Sequence, residues 1–162
     1  MADFEQAIAK TLEFEGGNTF TNDSTDRGGA TRYGISQNAY PDLDIQNLNE
    51  KQAKEIYRRD YWNRIRGDDI LSQRVAENIF DACVNMGVRS GSKLAQLSLG
   101  IEPADGIIGP QSLKVINAAD EELFLAKFAL AKMQRYVEIV QADSSQKKYL
   151  LGWLNRTLAN TA

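Results

Sequence analysis

Apolar residues recur at three- and four-residue intervals over most of the chain, a pattern that predicts a mainly α protein. Phe4, Ile8 and Leu12, flanked by Ala7 and Thr11, put one buried stripe on a helix over residues 3–15. Asp3 with Gln6 makes a capping-box pattern at its start, and Gly16 and Gly17 supply the left-handed residue that ends it. Asn49 with Gln52 repeats the capping box before a helix that buries Ala53, Ile56 and Tyr57. Ser72 can cap a helix carrying Val75, Ala76, Ile79, Phe80, Cys83 and Val84, with Gly87 at its end. A short helix is expected from Ser90 to Leu99, and another starts at Pro110, where a first-turn proline belongs, and runs through Leu113, Val115 and Ile116. Asp120 opens a long helix expected to bury Leu123, Phe124, Phe128, Ala131 and Val137. A final helix after Asp143 and Ser144 should turn Tyr149, Leu150, Trp153, Leu154 and Leu158 inward. Strand signal is confined to residues 18–35, where Thr19 to Thr21 and Ala30 to Tyr33 can pair as a hairpin around Gly28 and Gly29.

Composition narrows the function. A chain of 162 residues without repeat, linker or low-complexity tract is expected to form one domain. Its net charge of −3 argues against binding nucleic acid by phosphate neutralisation. Arg58, Arg59, Arg64 and Arg66 do cluster among Tyr57, Tyr61 and Trp62; a solvated basic face over aromatics turned into the core accounts for them, and a rim for an anionic polymer is the functional alternative. The absence of histidine removes imidazole-based proteases and histidine-ligated zinc. Cys83, the one cysteine, lies among apolar neighbours and is expected to be buried and unreactive.

The chemistry concentrates in Glu13 to Ser36, EFEGGNTFTNDSTDRGGATRYGIS. Glu15 falls in the last turn of the first helix, where the carbonyl end disfavours an ionised carboxylate, as a general acid requires. Asp26 or Asp23, in a wetter setting, would stay ionised to steady a cationic sugar or activate water, and Thr31 can hold that water by its hydroxyl. The plainer account makes Glu15 a solvated helix end and the aspartates ordinary turn residues. No cofactor is implied, and the acids of NDSTDRGG lack the ligand spacing of a calcium loop, so no metal is expected.

The order EGG, then D..DRGGAT, then YGIS resembles the glutamate block of glycoside hydrolase family 108, phage endolysins and related muramidases. The resemblance continues through Ile56 to Ile70, Val75 to Val88 and Ala104 to Leu113. It implies a lysozyme-like, mainly α (α+β) fold with a small β-hairpin lobe after the first helix, and hydrolysis of the β-1,4 bond between N-acetylmuramic acid and N-acetylglucosamine. Glu15 is then the catalytic acid. Glu15, Asp26 and Thr31 also keep the order of the glutamate, aspartate and threonine of tailed-phage lysozymes, at a different spacing; Asp23 competes with Asp26. A lytic transglycosylase using Glu15 alone, or a non-catalytic peptidoglycan-binding protein, are the competing readings.

Residues 104–118 resemble part of a peptidoglycan-binding repeat within the single domain expected over 1–162. The peptidoglycan glycan strand is the expected partner, bound by a monomer. MADFEQAIAK has neither the basic run nor the apolar core of an export signal, so the expected location is the host cytoplasm until the membrane is breached. The phage resemblance implies a holin for that breach. The tripeptide Arg66 to Asp68 and the sequon Asn155 to Thr157 carry little weight as adhesion or glycosylation signals.

Overall fold

In the computed structural model, which describes residues 1–22 and 29–161, the stripe Phe4, Ala7, Ile8, Thr11 and Leu12 is buried on one helix, α1 (Phe4–Phe14). Contacts divide the chain into two units, Phe4–Asp60 and a larger one formed by Met1–Asp3 with Tyr61–Ala162. The fold is mainly α, with seven α-helices and one two-stranded antiparallel sheet among the described residues.

In the smaller unit, α1 is followed by β1 (Thr31–Arg32) and β2 (Ile35–Ser36), joined through Tyr33 and Gly34. Both joining residues have positive φ, 53° and 73°, as a two-residue type I′ hairpin turn requires. The tight turn of this hairpin is Tyr33–Gly34; Gly28, half of the glycine pair around which a hairpin was expected, lies outside the described residues. The expected pairing of Thr19–Thr21 with Ala30–Tyr33 survives as one isolated bridge, Thr21 to Thr31. Helix α2 (Glu50–Tyr57) starts with the capping box read from Asn49 and Gln52, and it buries Ala53, Ile56 and Tyr57 as expected. Lys54 ties α2 to α1, its Nζ 3.0 Å from Glu5 Oε2, an exposed pair that contributes at most about 1 kcal/mol.

The larger unit is a helical assembly of α3 (Gln73–Met86), α4 (Val88–Ser98), α5 (Pro110–Ala118), α6 (Glu121–Ala142) and α7 (Lys147–Thr161). Ser72 and Asp120 cap α3 and α6 through Val75 N and Leu123 N, and Pro110 opens α5. Helices α3 and α4 approach closely at Gly91, where a Cβ would lie 2.7 Å from Cys83 N. Burial pushes the Cys83 thiol up to about 12, which makes it the inert small hydrophobe expected. Trp62 is fully buried, donates Nε1–H to Asp68 Oδ1 at 2.7 Å and meets Phe80 edge-to-face at 5.5 Å. Gly67 lies against the Trp62 ring, so Arg66 to Asp68 is a packing turn.

Two inward faces differ from expectation. Helix α6 buries Phe124, Leu125, Phe128, Ala129, Lys132 and Tyr136, leaving Leu123 and Val137 exposed. Apolar residues lie on most of its circumference, so periodicity alone did not fix its rotation. On α7, Tyr149 and Leu158 are exposed, whereas Thr157 and Asn160 are buried. Polar bonds set that face: Asn78 Nδ2 donates to Asn160 O at 2.8 Å, Lys132 Nζ donates to Asn78 Oδ1 at 3.2 Å, and Arg156 Nε donates to Asp81 Oδ1 at 2.9 Å. The sequon at Asn155 is thus part of a packed helix.

Candidate active site

Glu15 occupies a position fixed by local chain geometry. Its own N–H donates to Thr11 O at 3.0 Å, and Gly17 N donates back to Leu12 O at 2.9 Å, with Gly16 between them at φ 82°. That is a Schellman ending in which Glu15 is the cap residue just after α1, so its side chain leaves the helix end where the two glycines turn the chain away. The expectation for Gly16 and Gly17 holds.

The hairpin meets this ending. Tyr33 N donates to Gly17 O at 3.1 Å, and Gly34 presents its bare Cα to the glutamate. A Cβ on Gly34 would stand 2.8 Å from Glu15 Oε2, 2.8 Å from Glu15 Cβ and 2.7 Å from the Tyr57 hydroxyl oxygen. Only glycine fits there, both for space and for its φ of 73°. Tyr57, 2% exposed, donates its hydroxyl proton to Tyr33 O at 2.9 Å, so both backbone polar groups of the left-handed Tyr33 are engaged. A bulky residue at positive φ costs roughly 1–2 kcal/mol, and these bonds hold it in place.

Of the residues singled out in sequence, Glu15 lies beside Gly34 and Tyr57. Thr31 is three positions earlier in the same hairpin, half-buried, and its hydroxyl donates to Gly29 O at 3.1 Å. Its donor is engaged, so Thr31 can still orient a water by accepting a hydrogen bond. Asp26 and Asp23 lie outside the described residues. Tyr57 and Gly34 gained no role from sequence reasoning. A signal for Gly34 was present, since Thr-Arg and Ile-Ser flank a two-residue connection ending in glycine. For Tyr57, burial was legible and the target of its hydroxyl was not.

Comparison with known proteins bears on the family and the fold. The family model described as glycosyl hydrolase 108 matches residues 8–87, a span that starts within α1 and takes in the hairpin, α2 and α3. Over these residues the chain belongs to the glycosyl hydrolase 108 family. A second model, described as a predicted peptidoglycan domain, matches residues 90–158, a span that includes the 104–118 segment. This glycosyl hydrolase 108 protein is therefore a glycoside hydrolase that acts on peptidoglycan. The solved structure of SagA from Brucella abortus is similar at a TM-score of 0.75 and 23% identity, covering 98% of this chain and 95% of that one; the likeness is one of fold. No curated protein matches the sequence.

Proposed function

We propose that this protein is an N-acetylmuramidase that hydrolyses the β-1,4 bond between N-acetylmuramic acid and N-acetylglucosamine, with Glu15 as general acid. The observation that carries this reading is the fixed exit of Glu15 from the helix ending, seated against Gly34 and Tyr57. A general acid must meet the leaving oxygen in one orientation, and a carboxyl held by a helix cap and a hairpin turn is pre-organised for that. Glu15 transfers its proton to the bridging oxygen as the bond from that oxygen to the muramic anomeric carbon breaks. The N-acetylglucosamine hydroxyl departs and positive charge develops on the muramic ring. Asp26 steadies that charge or takes the proton of the incoming water, whose oxygen bonds to the anomeric carbon; Thr31 accepts a hydrogen bond from this water.

In this reading the protein is a monomeric phage endolysin that waits in the host cytoplasm until a holin opens the membrane. The support is the resemblance of its glutamate block to phage endolysins. Among the described residues no helix is long and apolar enough to cross a membrane.

Mass spectrometry of purified peptidoglycan digested by the protein tests the reaction. New reducing N-acetylmuramic ends are expected, and Glu15→Gln should slow their release at least about a hundredfold while leaving the fold intact. Anhydro ends would replace hydrolysis by transglycosylation, and intact glycan in the presence of folded protein would remove the catalytic reading.

A further inference from the structure

A second feature of the larger unit is a groove of about 450 Å³ between α4 and α6. Arg89 and Lys93 reach it from α4, Arg135 and Glu138 from α6, and Leu94 and Leu97 contribute apolar surface. Three cations against one carboxylate is a local reversal of sign in a chain whose net charge is −3. The carboxylate is engaged, since Glu138 Oε2 accepts from Arg135 Nη1 at 3.4 Å and its Oε1 from Gln134 Nε2 at 3.4 Å. Among the described residues neither Arg89 nor Lys93 forms an ion pair. Hydrogen bonds from Gln96 Nε2 and Ile107 N, both at 2.9 Å, hold the Asp105 carboxyl below its usual value, and the Arg89 charge adds a smaller push the same way. Glu138 and Asp105 together offset two of the three cations, so the groove keeps a net positive charge beside an exposed leucine, Leu97, at 51%.

We propose that the α4–α6 groove binds the peptide stems of peptidoglycan, pairing Arg89, Lys93 and Arg135 with stem carboxylates while Leu94 and Leu97 receive alanine methyl groups. Guanidinium and ammonium groups match carboxylates, and the apolar surface matches the small side chains between them. A polyol phosphate chain offers the charge without the methyl groups, which favours the peptide. The inference rests on the peptidoglycan substrate of the reading above and adds a site distinct from Glu15. Holding the stem by a groove in the larger unit keeps the enzyme on its insoluble substrate between cleavages.

The test is an NMR titration of the full-length protein with a synthetic stem tetrapeptide of L-alanine, D-glutamate, diaminopimelate and D-alanine. Expected are shifts of backbone amides along Arg89 to Leu97 and around Arg135 to Glu138, about tenfold weaker binding by the double variant Lys93→Gln, Arg135→Gln, and retention by Lys93→Arg. Both targeted side chains are exposed, and thermal unfolding verifies that the double variant is folded. Reducing-end release from peptide-stripped soluble glycan should be unchanged in the double variant. Absence of release from the wild type as well marks failure of the Glu15 reading, of which the peptide titration is independent, whereas a loss confined to the double variant makes the groove a glycan site and overturns the proposal. Equal binding of the carboxamide form of the peptide, unchanged affinity of the folded double variant, or tighter binding of poly(glycerol phosphate) in the same groove would overturn the proposal.

Discussion

Gly34 and Glu15 are matched: a Cβ on Gly34 would fall 2.8 Å from the carboxylate oxygen Oε2 of Glu15, so the hairpin turn can seat the acid only while position 34 is glycine.

Gly34→Ala is therefore expected to act on both stability and turnover. The left-handed φ adds roughly 1–2 kcal/mol of strain, and displacement of the acid by a fraction of an ångström to an ångström can cost about a hundredfold in rate. Denaturant unfolding and reducing-end assays separate the two effects. A variant with wild-type turnover would show that the contact between hairpin and glutamate does not matter for chemistry.

Tyr57→Phe keeps the ring and removes the hydroxyl that binds Tyr33 O. A buried carbonyl left without its donor costs about 1–3 kcal/mol. Because the hydroxyl acts through the turn, kcat should fall more than KM rises. A change confined to KM would reassign Tyr57 to substrate binding.

The aspartates are separated by paired variants. Asp26→Asn should lower activity more than Asp23→Asn, with little change in stability for either, since Asp26 is nearer in sequence to Thr31. Kinetics on the same glycan substrate decides. Greater loss in Asp23→Asn moves the role there, and no loss in either favours a reaction that needs Glu15 alone.

Cys83 should resist modification. With its thiol pushed up to about 12 and the residue buried, the thiolate is nearly absent from the folded protein near neutral pH. Alkylation by iodoacetamide at about pH 8 is expected only after denaturant is added. Because the folded value lies above the usual 9.0, the contribution of this group to stability is complete below that pH and is lost as pH rises toward 12.

The elements legible in sequence were those specified by short-range chemistry. Asn49 with Gln52, Ser72, Pro110 and Asp120 all mark helix starts that the structure contains, because a cap is decided within one turn of chain. The helix ending at Gly16 and Gly17 was readable for the same reason. What depends on distant partners was not. The buried face of α7 follows from Asn78 and Asp81 on α3, and a stripe of leucines on α7 does not reveal them. The turn at Tyr33–Gly34 was not read from sequence, since a tyrosine at positive φ is not an expected turn residue. Glu15 was legible as the acid, while the surface on which it rests required the tertiary contact of Gly34 and Tyr57.

The hydrogen bond from Tyr33 N to Gly17 O, backed by the bridge between Thr21 and Thr31, closes the chain between Gly17 and Tyr33 into a loop. Glu15 lies outside that loop, anchored upstream by its own helix ending. The acid is therefore held by contacts on either side of the aspartate segment, to Thr11 and the helix ending before it and to Tyr33, Gly34 and Tyr57 after it. A substitution at Gly34 or Tyr57 therefore reaches the acid through contacts that no residue of the aspartate segment supplies among the described residues.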